Sequence, residues 1–278
     1  MKFWVKLLLI SAASLILACA AYSCIYMLRF SREADDSDKD CFKIATLNVH
    51  GFLEMDSPDA SAGYIRHRME SFGVDILCMQ EINRYEDWVQ ENLAAILSGA
   101  WPYYVITDEQ AIFSRYPILD HQLVKQEHST NSWSVNLIDT PKGAVRVFAA
   151  HLLTTGVSTA GIRNDISGAQ SAGTLMKASA RTRAVQAQNM RKVVGEEPAR
   201  TVIVGDFNSV PGSKVYRILK KGMKDAFMEK GHGWGSTFHK NPMRIDYILH
   251  SPDLECLDCR IMKSRMSDHR AVVAKIAF

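Results

Sequence analysis

Apolar runs that end in polar residues recur along the chain, and residues 201–211 show this pattern most clearly. They read TVIVGDFNSVP, in which four apolar or β-branched residues precede a Gly and the polar pair Asp206 and Asn208. A continuous apolar run bounded by Gly and Pro is typical of a buried strand. Side chains alternate across a strand, so Asp206 and Asn208 share one face while Phe207 packs behind. The pattern predicts an acid and an amide held at a sheet edge, although a tight turn uses the same residue types.

The same pattern occurs at further places, separated by helical spacing. Apolar residues lead to Asn48, Glu81 and His151, residues 244–249 contain Asp246 within an apolar run, and Asp268 and His269 precede the final strand. Apolar residues spaced three and four apart predict helices at residues 64–72, around 88–97 and at 181–194. Residues 140–143, TPKG, predict a hairpin turn between strands at 133–138 and 145–150. Strand–helix units in series, followed by strands, favour a layered α/β sandwich.

Residues 154–180 interrupt this regular alternation. They are polar and small, with four glycines among Ser, Thr and Ala. So long a segment without apolar periodicity predicts a loop, and loops of this length tend to be functional. We expect a flap that faces the substrate or a membrane.

The N-terminus carries a different pattern, an uncharged run of 22 residues from 7 to 28. Lys2 and Lys6 precede it and Arg29 follows it. A run of this length can cross a bilayer, so residues 1–30 predict a hydrophobic helix outside the soluble fold. We favour an uncleaved membrane anchor; a cleaved signal, or a lipoprotein signal ending at Cys19, are the alternatives. Residues 31–40 predict a polar linker, and residues 41–278 the globular domain.

Composition narrows the function only weakly. The chain has 278 residues, 47% of them hydrophobic, which suits one large α/β domain, and we expect a monomer. It has 33 Lys and Arg against 30 Asp and Glu, and the excess of three lies in the first thirty residues. A neutral domain counts mildly against a non-specific nuclease. Cys256 and Cys259 form a lone CxxC, which we interpret as a turn pair of open redox state rather than half of a zinc site.

The ordered set of polar positions at strand ends resembles the endonuclease/exonuclease/phosphatase superfamily. These metal-dependent phosphoesterases include pancreatic-type deoxyribonucleases, apurinic endonucleases, neutral sphingomyelinases and inositol polyphosphate phosphatases. The resemblance covers roughly residues 41–278, and six positions in the right order are far more specific than any one alone. It implies a four-layer α/β-sandwich in which two packed mixed β-sheets are flanked by helices. Residues 108–111 lack the mid-domain Tyr of the apurinic branch, which argues against abasic-DNA repair.

The resemblance also implies roles for individual residues. Asn48, Glu81 and Asp268 are the expected metal residues, and their oxygen atoms suit Mg²⁺, with Mn²⁺ as a substitute. Asp206 and Asn208 correspond to the pair that positions water and a phosphoryl oxygen. Asp246 pairs with His269, as base or as cationic clamp, while His151 donates to phosphoryl oxygens or to the leaving group. Arg115 and Arg183 are candidates for substrate binding.

These expectations converge on a hydrolase of phosphoester bonds. The expected substrate is a lipid-linked, nucleotide or sugar phosphate, and the expected partner is a membrane, contacted through the N-terminal segment. We expect the catalytic domain outside the bacterial cytoplasm, either tethered to the inner membrane or exported. A secreted or membrane-bound nuclease acting on nucleic acid is the alternative within the same class. A catalytically silent binding adaptor is the alternative from another class.

Overall fold

Two six-stranded β-sheets, packed face to face and covered by helices on their outer sides, form the body of the protein. The structure, a computed structural model, describes residues 11, 14–31, 40–126, 131–154, 166–195, 198–263 and 266–278; in the range 166–195 the side chains are described from residue 173 onward. The layers follow the order helix, sheet, sheet, helix. The predicted four-layer sandwich of two mixed sheets is therefore confirmed.

The strands are, in chain order, β1 Leu28–Phe30, β2 Cys41–Asn48, β3 Ile76–Gln80, β4 Tyr103–Ile106, β5 Gln110–Ser114, β6 Ile118–Lys125, β7 Ser132–Thr140, β8 Gly143–His151, β9 Thr201–Asp206, β10 Lys224–Asp225, β11 His232–Trp234, β12 Asp246–His250, β13 Glu255–Ile261 and β14 Val272–Ala277. Sheet I has the order β13-β14-β2-β3-β5-β4, and sheet II has the order β10-β12-β9-β8-β7-β6. Strands β2 and β3 are the parallel pair of sheet I, and β8 and β9 are the parallel pair of sheet II. Strands β1 and β11 form a separate two-stranded ribbon.

The inner faces of the two sheets form the central core. Sheet I contributes Ile44, Ile76 and Ile112, and sheet II contributes Val147 and Val204. Alternate residues of the same strands point outward against helices, as Leu47 and Val49 do for β2 and the residue after it. Because both faces of each sheet are covered, the central strands are apolar along their whole length. This explains the continuous apolar runs from which the strands were predicted.

The helices of the outer layers are α1 Pro58–Ser71, a helical run from residue 86 to 97 that we call α2, α3 Ile166–Val194, α4 Lys214–Lys220 and α5 Ala226–Lys230. Ser57 caps α1 by accepting a hydrogen bond from the Ala60 amide at 3.1 Å, and Pro58 occupies the first turn. Helices α1 and α2 cover sheet I. Helices α3 and α4 cover sheet II through residues such as Met190 and Leu219.

Helix α3 overturns part of the expected flap. Residues 166–180 are helical and continue into the predicted helix at 181–194. The Gly residues in this stretch cost helix stability, but Ala, Gln, Leu, Met and Lys around them favour a helix enough to compensate. The remainder of the expected flap, residues 155–165, lies outside the described residues.

The N-terminal segment also differs from its prediction. Residues 14–22 are helical, Ser23–Met27 form a π-helical turn, and Leu28–Phe30 pair with His232–Trp234 as strand β1. The Met27 side chain is only 2% exposed. The expectation that residues 1–30 form a helix outside the soluble fold is therefore wrong for Leu28–Phe30.

This arrangement changes the interpretation of residues 31–40. The chain belongs to the same folded unit on both sides of them, because the Ser31 amide donates to the Gly231 carbonyl at 3.3 Å and β2 begins at Cys41. Residues 32–39 themselves lie outside the described residues. None of the helices within the described ranges combines the length and the apolar character that a bilayer crossing requires.

The CxxC pair is likewise not a turn. Cys256 and Cys259 are buried thiols within strand β13, on either side of a β-bulge. Burial raises the pKa of both thiols, which keeps them protonated and inert.

Candidate active site

The candidate site lies where the carboxyl ends of both parallel strand pairs meet. Asn48 is the last residue of β2, and its register partner is the last residue of β3. In sheet II, His151 at the end of β8 lies opposite Asp206 at the end of β9. Asp206 in turn lies opposite Asp246, the first residue of the antiparallel strand β12. Strand register therefore gathers His151, Asp206 and Asp246 at one edge of sheet II, and the 3.2 Å hydrogen bond from Asn48 to Asp206 joins the edge of sheet I to it.

A glycine allows two of these strands to approach. Gly205 in β9 has φ +135°, and a Cβ atom built on it would lie 1.9 Å from the Ala150 carbonyl oxygen. Only Gly fits between β8 and β9 at this position. Close approach at Gly205 sets the spacing between the next pair along the strands, His151 and Asp206.

His269 is held by an acid on one side and faces a second acid on the other. Its Nδ1 lies 3.0 Å from Asp246 Oδ2, and its Nε2 lies 3.9 Å from Asp206 Oδ2. Burial alone lowers the pKa of His269, but the charge and hydrogen bond of Asp246, together with the charges of Asp206 and Asp268, outweigh burial and raise the pKa to about 10. The imidazole is therefore protonated at neutral pH and directs positive charge toward Asp206.

His151 has the same kind of arrangement on the opposite side of Asp206. Its Nδ1 lies 2.7 Å from Glu109 Oε2, and its Nε2 lies 3.5 Å from Glu81 Oε1. Burial lowers the pKa of His151, but the hydrogen bond and charge of Glu109, together with the charges of Asp206 and Glu81, raise it further than burial lowers it. The Asn131 amide also lies 2.9 Å from the ring nitrogens.

Glu109 was missed by the sequence analysis. It precedes β5, is 5% exposed, and also accepts hydrogen bonds at 2.8 Å from the amide and hydroxyl of Ser132. Its position in a short polar stretch between two strands gives no periodic signal. A buried imidazole in a site usually has a carboxylate partner, so a partner for His151 could have been expected from the sequence. The sequence does not show which of the acidic residues it is.

Asn48 connects the two sheets through its amide. Its Nδ2 donates to Glu81 Oε1 at 2.8 Å and to Asp206 Oδ2 at 3.2 Å, while its Oδ1 accepts from the His50 amide at 3.0 Å. Asn48 therefore orients two carboxylates of the site. Glu81 itself has φ +58°, a conformation that is rare outside Gly and that is typical of functional positions.

Asp268 forms an acidic corner at the rim of the cleft, with Glu54 and Glu81. The Asp268 carboxylate lies 2.8 Å from Lys240 Nζ and 3.5 Å from His50 Nδ1. The hydrogen bond to Asp268 raises the pKa of Lys240, and the charges of Glu54 and Glu81 contribute to the same shift. This corner therefore attracts a cation.

The donor set at this corner fits a divalent metal. Glu81, Asp206 and Asp268 line one cleft, and carboxylate oxygens are the ligands that hard cations such as Mg²⁺ prefer. His50, Glu54 and Asp268 also place one potential ligand atom each within 4.8 Å of one another. In this arrangement Glu81 and Asp268 would hold the metal while Asn48 orients Glu81. The bound metal would withdraw charge from a phosphoryl oxygen.

Asn208 and Arg183 shape the loop beside Asp206. The Asn208 amide donates to Asp206 Oδ1 at 2.8 Å, and its side chain donates to the Leu152 carbonyl at 2.9 Å. Arg183 on α3 is buried and donates to Ser209 Oγ at 3.2 Å and to the Leu153 carbonyl at 3.0 Å. Burial lowers the pKa of Arg183. Both side chains line the cleft. Their hydrogen bonds to Leu152, Leu153 and Ser209 fix the position of the loops that form its walls.

Arg115 lies elsewhere, and the expectation that it faces substrate in this cleft is wrong. It follows Ser114, whose register partner Ile76 is the first residue of β3, whereas the site lies at the other end of that strand. Its Nη1 lies 3.4 Å from Asp75 Oδ1 at the surface. Arg115 therefore closes the far end of sheet I with a surface ion pair.

The cleft has a volume of about 510 Å³ and combines the charged cluster with an apolar wall. The wall consists of Met176 and Ala180 of α3, Val210, Val215, Phe238, Met243 and Ile245. Thr237 behind it fixes the start of β12, since its hydroxyl accepts from the amides of Ile245 and Asp246. A phosphoester with an apolar substituent would match both surfaces.

Solved structures with the same fold are similar to this chain at low sequence identity. An endonuclease/exonuclease/phosphatase from Beutenbergia cavernae DSM 12333 has a TM-score of 0.65 and 17% identity over 86% of this chain and 72% of that chain. Sphingomyelinase C from Streptomyces griseocarneus has a TM-score of 0.61 and 14% identity over 85% and 99%. D. rerio TDP2 complexed with single strand DNA product has a TM-score of 0.62 and 14% identity over 86% and 100%. No curated protein matches the sequence.

The sequence itself matches the Endonuclease/Exonuclease/phosphatase family over residues 45–269, which is most of the chain and includes all the clustered site residues. Members of this family are phosphoester hydrolases that depend on divalent metals. The chain belongs to the endonuclease/exonuclease/phosphatase family.

Proposed function

We propose that the protein is a divalent-metal-dependent hydrolase of phosphoester bonds that acts on a small or lipid-linked phosphoester. The single observation that carries this proposal is the position of Asp206 between two buried imidazoles, each paired with its own carboxylate. Asp246 holds His269 at 3.0 Å and Glu109 holds His151 at 2.7 Å. Hydrolysis at phosphorus needs a base that accepts a proton from the attacking water, and it needs positive charge around the phosphoryl oxygens. The carboxylate of Asp206 and the two imidazoles supply these.

Each residue then has a distinct task. Asp206, whose second oxygen is fixed by the Asn208 amide, accepts a proton from the attacking water. His269, with its raised pKa, suits an ionic contact with a phosphoryl oxygen. His151 donates a hydrogen bond to another phosphoryl oxygen or to the leaving group. We propose Mg²⁺, with Mn²⁺ as a substitute, at Glu81 and Asp268.

We further propose that the N-terminal segment tethers the enzyme to a membrane or directs its export, with the catalytic domain outside the cytoplasm. Residues 7–21, the part of the uncharged run that precedes the segment packed on the domain, support this placement. The apolar wall of the cleft favours a substrate that carries a lipid group.

The test uses aryl phosphodiester and phosphomonoester substrates with the purified protein and Mg²⁺. We expect EDTA to abolish turnover, Mg²⁺ or Mn²⁺ to restore it, and Asp206→Asn to lower kcat by roughly 10²–10⁴-fold. Asp120→Asn, an exposed acid on β6, is the control and keeps full activity. Turnover that survives both EDTA and Asp206→Asn would contradict the proposal.

A nuclease is the second candidate, because one structure with the same fold holds single strand DNA product. A DNA-nicking assay beside a panel of phospholipids separates the two candidates. Nicking without phospholipid hydrolysis would favour the nuclease. If the intact protein hydrolyses neither substrate with any divalent metal and yet binds one of them, the domain is a silent adaptor.

A further inference from the structure

The helices that cover sheet II carry an unusual distribution of charge. Helices α3 and α4 contain eight of the 33 Lys and Arg residues of the chain and none of its 30 Asp and Glu residues. The rest of the chain is left with 25 cations against 30 acids, so it is net negative. The near-neutral total of the domain therefore hides two regions of opposite charge. Asp165, Glu196, Glu197 and Asp225 flank these segments in the sequence.

The packing of α3 and α4 determines which of these charges face outward. Ala187 and Met190 of α3 pack with Val215 and Leu219 of α4 in the outer core. The opposite sides of the two helices are exposed. We call this outer surface the basic face; its exposed cations are Lys177, Arg181, Lys192, Lys214, Arg217 and Lys221.

Large apolar side chains are exposed among these cations. Leu175 is 52% exposed, Val185 is 54% exposed and Val193 is 47% exposed. A single exposed apolar residue is ordinary, but three on one helix amid Lys and Arg are typical of helices that lie in the interface of a bilayer. These side chains offer nothing to a nucleic-acid backbone, which is bound by charge and hydrogen bonds.

A groove crosses the basic face between the two helices. It has a volume of about 680 Å³ and is lined by Val185 and Ile218, by the amides of Gln188 and Asn189, and by Lys192 and Lys221. Cations and amide donors over an apolar floor match an anionic headgroup with its first acyl carbons.

The basic face borders the cleft. Lys214 of α4 is exposed on the basic face and also lines the cleft. The N-terminal segment packs against the buried side of α4, where the Tyr26 ring meets the Tyr216 ring edge-on with ring centroids 6.5 Å apart, and the Tyr22 hydroxyl donates to the Pro211 carbonyl at 3.3 Å. A flat surface that rests on α3 and α4 therefore reaches the mouth of the site at Lys214.

We propose that the basic face is a docking surface for an anionic lipid bilayer, which brings headgroup phosphoesters to the mouth of the cleft. Charge complementarity and the exposed apolar residues identify the partner. The part of the proposal that concerns headgroup substrates rests on the proposed function, whereas the docking itself does not.

The test compares two triple variants of the full chain. One variant replaces Lys177, Lys192 and Lys221 by Gln. The matched control replaces three exposed lysines outside the basic face by Gln, namely Lys125, Lys142 and Lys263. Flotation is measured with phosphatidylcholine vesicles with and without phosphatidylglycerol. Each basic residue near an anionic surface contributes about one kcal/mol, so the first variant should bind the anionic vesicles roughly a hundredfold more weakly. The control variant should bind as the unaltered protein does.

Further arms separate the alternatives. Leu175→Gln should weaken binding to vesicles and leave binding to a DNA duplex unchanged. Equal binding by the two triple variants, or equal binding to neutral and anionic vesicles, would overturn the proposal. Loss of duplex binding alone would assign the basic face to nucleic acid instead. Asp206→Asn, which removes turnover, should bind vesicles normally, so failure of the docking and failure of the hydrolase activity are distinguishable.

Discussion

Glu109 holds the imidazole of His151 through a 2.7 Å hydrogen bond inside the protein. We predict that Glu109→Gln lowers kcat for phosphoester hydrolysis roughly a hundredfold, because an amide neither fixes the ring as a carboxylate does nor stabilises its protonated form. The pKa of His151 should fall, which NMR titration of the ring measures. Asp108→Asn changes the neighbouring exposed acid, which pairs with Lys125, and should alter neither quantity. An unchanged His151 titration in Glu109→Gln would contradict the assigned contact.

A second residue-scale prediction concerns the buried pair Arg244 and Asp225, each 1% exposed in its side chain. Arg244 Nη1 lies 2.9 Å from both oxygens of Asp225 and the guanidinium stacks over Phe227 and Tyr247. Asp225→Asn leaves a buried cation without its counter-charge and should lower the free energy of unfolding by roughly 3–5 kcal/mol in urea titration.

Tyr216→Phe is the matched control for that pair. It removes one 2.8 Å hydrogen bond to Asp225 without removing the charge, and should cost about 1 kcal/mol. If the two variants lost similar amounts of unfolding free energy, the ionic contact would contribute no more to stability than a neutral hydrogen bond.

Residue patterns in the sequence predicted most of the cluster and failed in two ways. Asn48, Glu81, His151, Asp206 and His269 each follow or precede an apolar run, so their positions at strand ends were accessible from the sequence. Arg115 also follows such a run, but at the end of a strand that points away from the site. Sequence periodicity finds strand ends without telling which edge of the sheet they reach. Glu109 was missed because its role depends on a contact with His151, 42 positions away.

At the scale of elements, the approach of β8 and β9 depends on Gly205. We predict that Gly205→Ala lowers the free energy of unfolding by about 3 kcal/mol or more, because a Cβ atom would meet the Ala150 carbonyl at 1.9 Å and the backbone has φ +135°. Activity should fall with it, since His151 and Asp206 follow directly. Thermal unfolding and turnover are measured on the same sample.

Gly63→Ala is the control for this effect. Gly63 lies in helix α1 with nothing within 4 Å of its would-be Cβ, so Ala should raise stability by about 0.5–1 kcal/mol. If Gly205→Ala and Gly63→Ala destabilised the protein to a similar degree, close packing between β8 and β9 would not be the cause of the instability of Gly205→Ala.

Element boundaries were less accessible from the sequence than element types. The central strands were predicted because both of their faces are covered and their apolar runs are continuous. Strand β6 was not predicted, since it lies at the edge of sheet II and alternates polar and partly buried residues. Helix α3 begins fifteen residues before its predicted start, because its first half is small and polar and gives no apolar stripe.

For the whole molecule, the N-terminal residues 22–30 belong to the folded unit. We predict that a chain shortened to begin at residue 21 keeps the stability of the domain, whereas one that begins at residue 31 loses roughly 2–5 kcal/mol. The second chain lacks the buried Met27 side chain and the β1–β11 pairing. Urea unfolding of both chains measures the difference, and equal midpoints would contradict the structural role of β1.

The order in which the chain acquires its site follows from the parallel pairing of β8 and β9. His151 and Asp206 become neighbours only after the chain between them, including the 29-residue helix α3, has crossed over sheet II. Pairing β8 with β9 across so long a connection is slow compared with forming the neighbouring β7–β8 hairpin. During refolding, secondary structure should therefore return before the capacity for turnover.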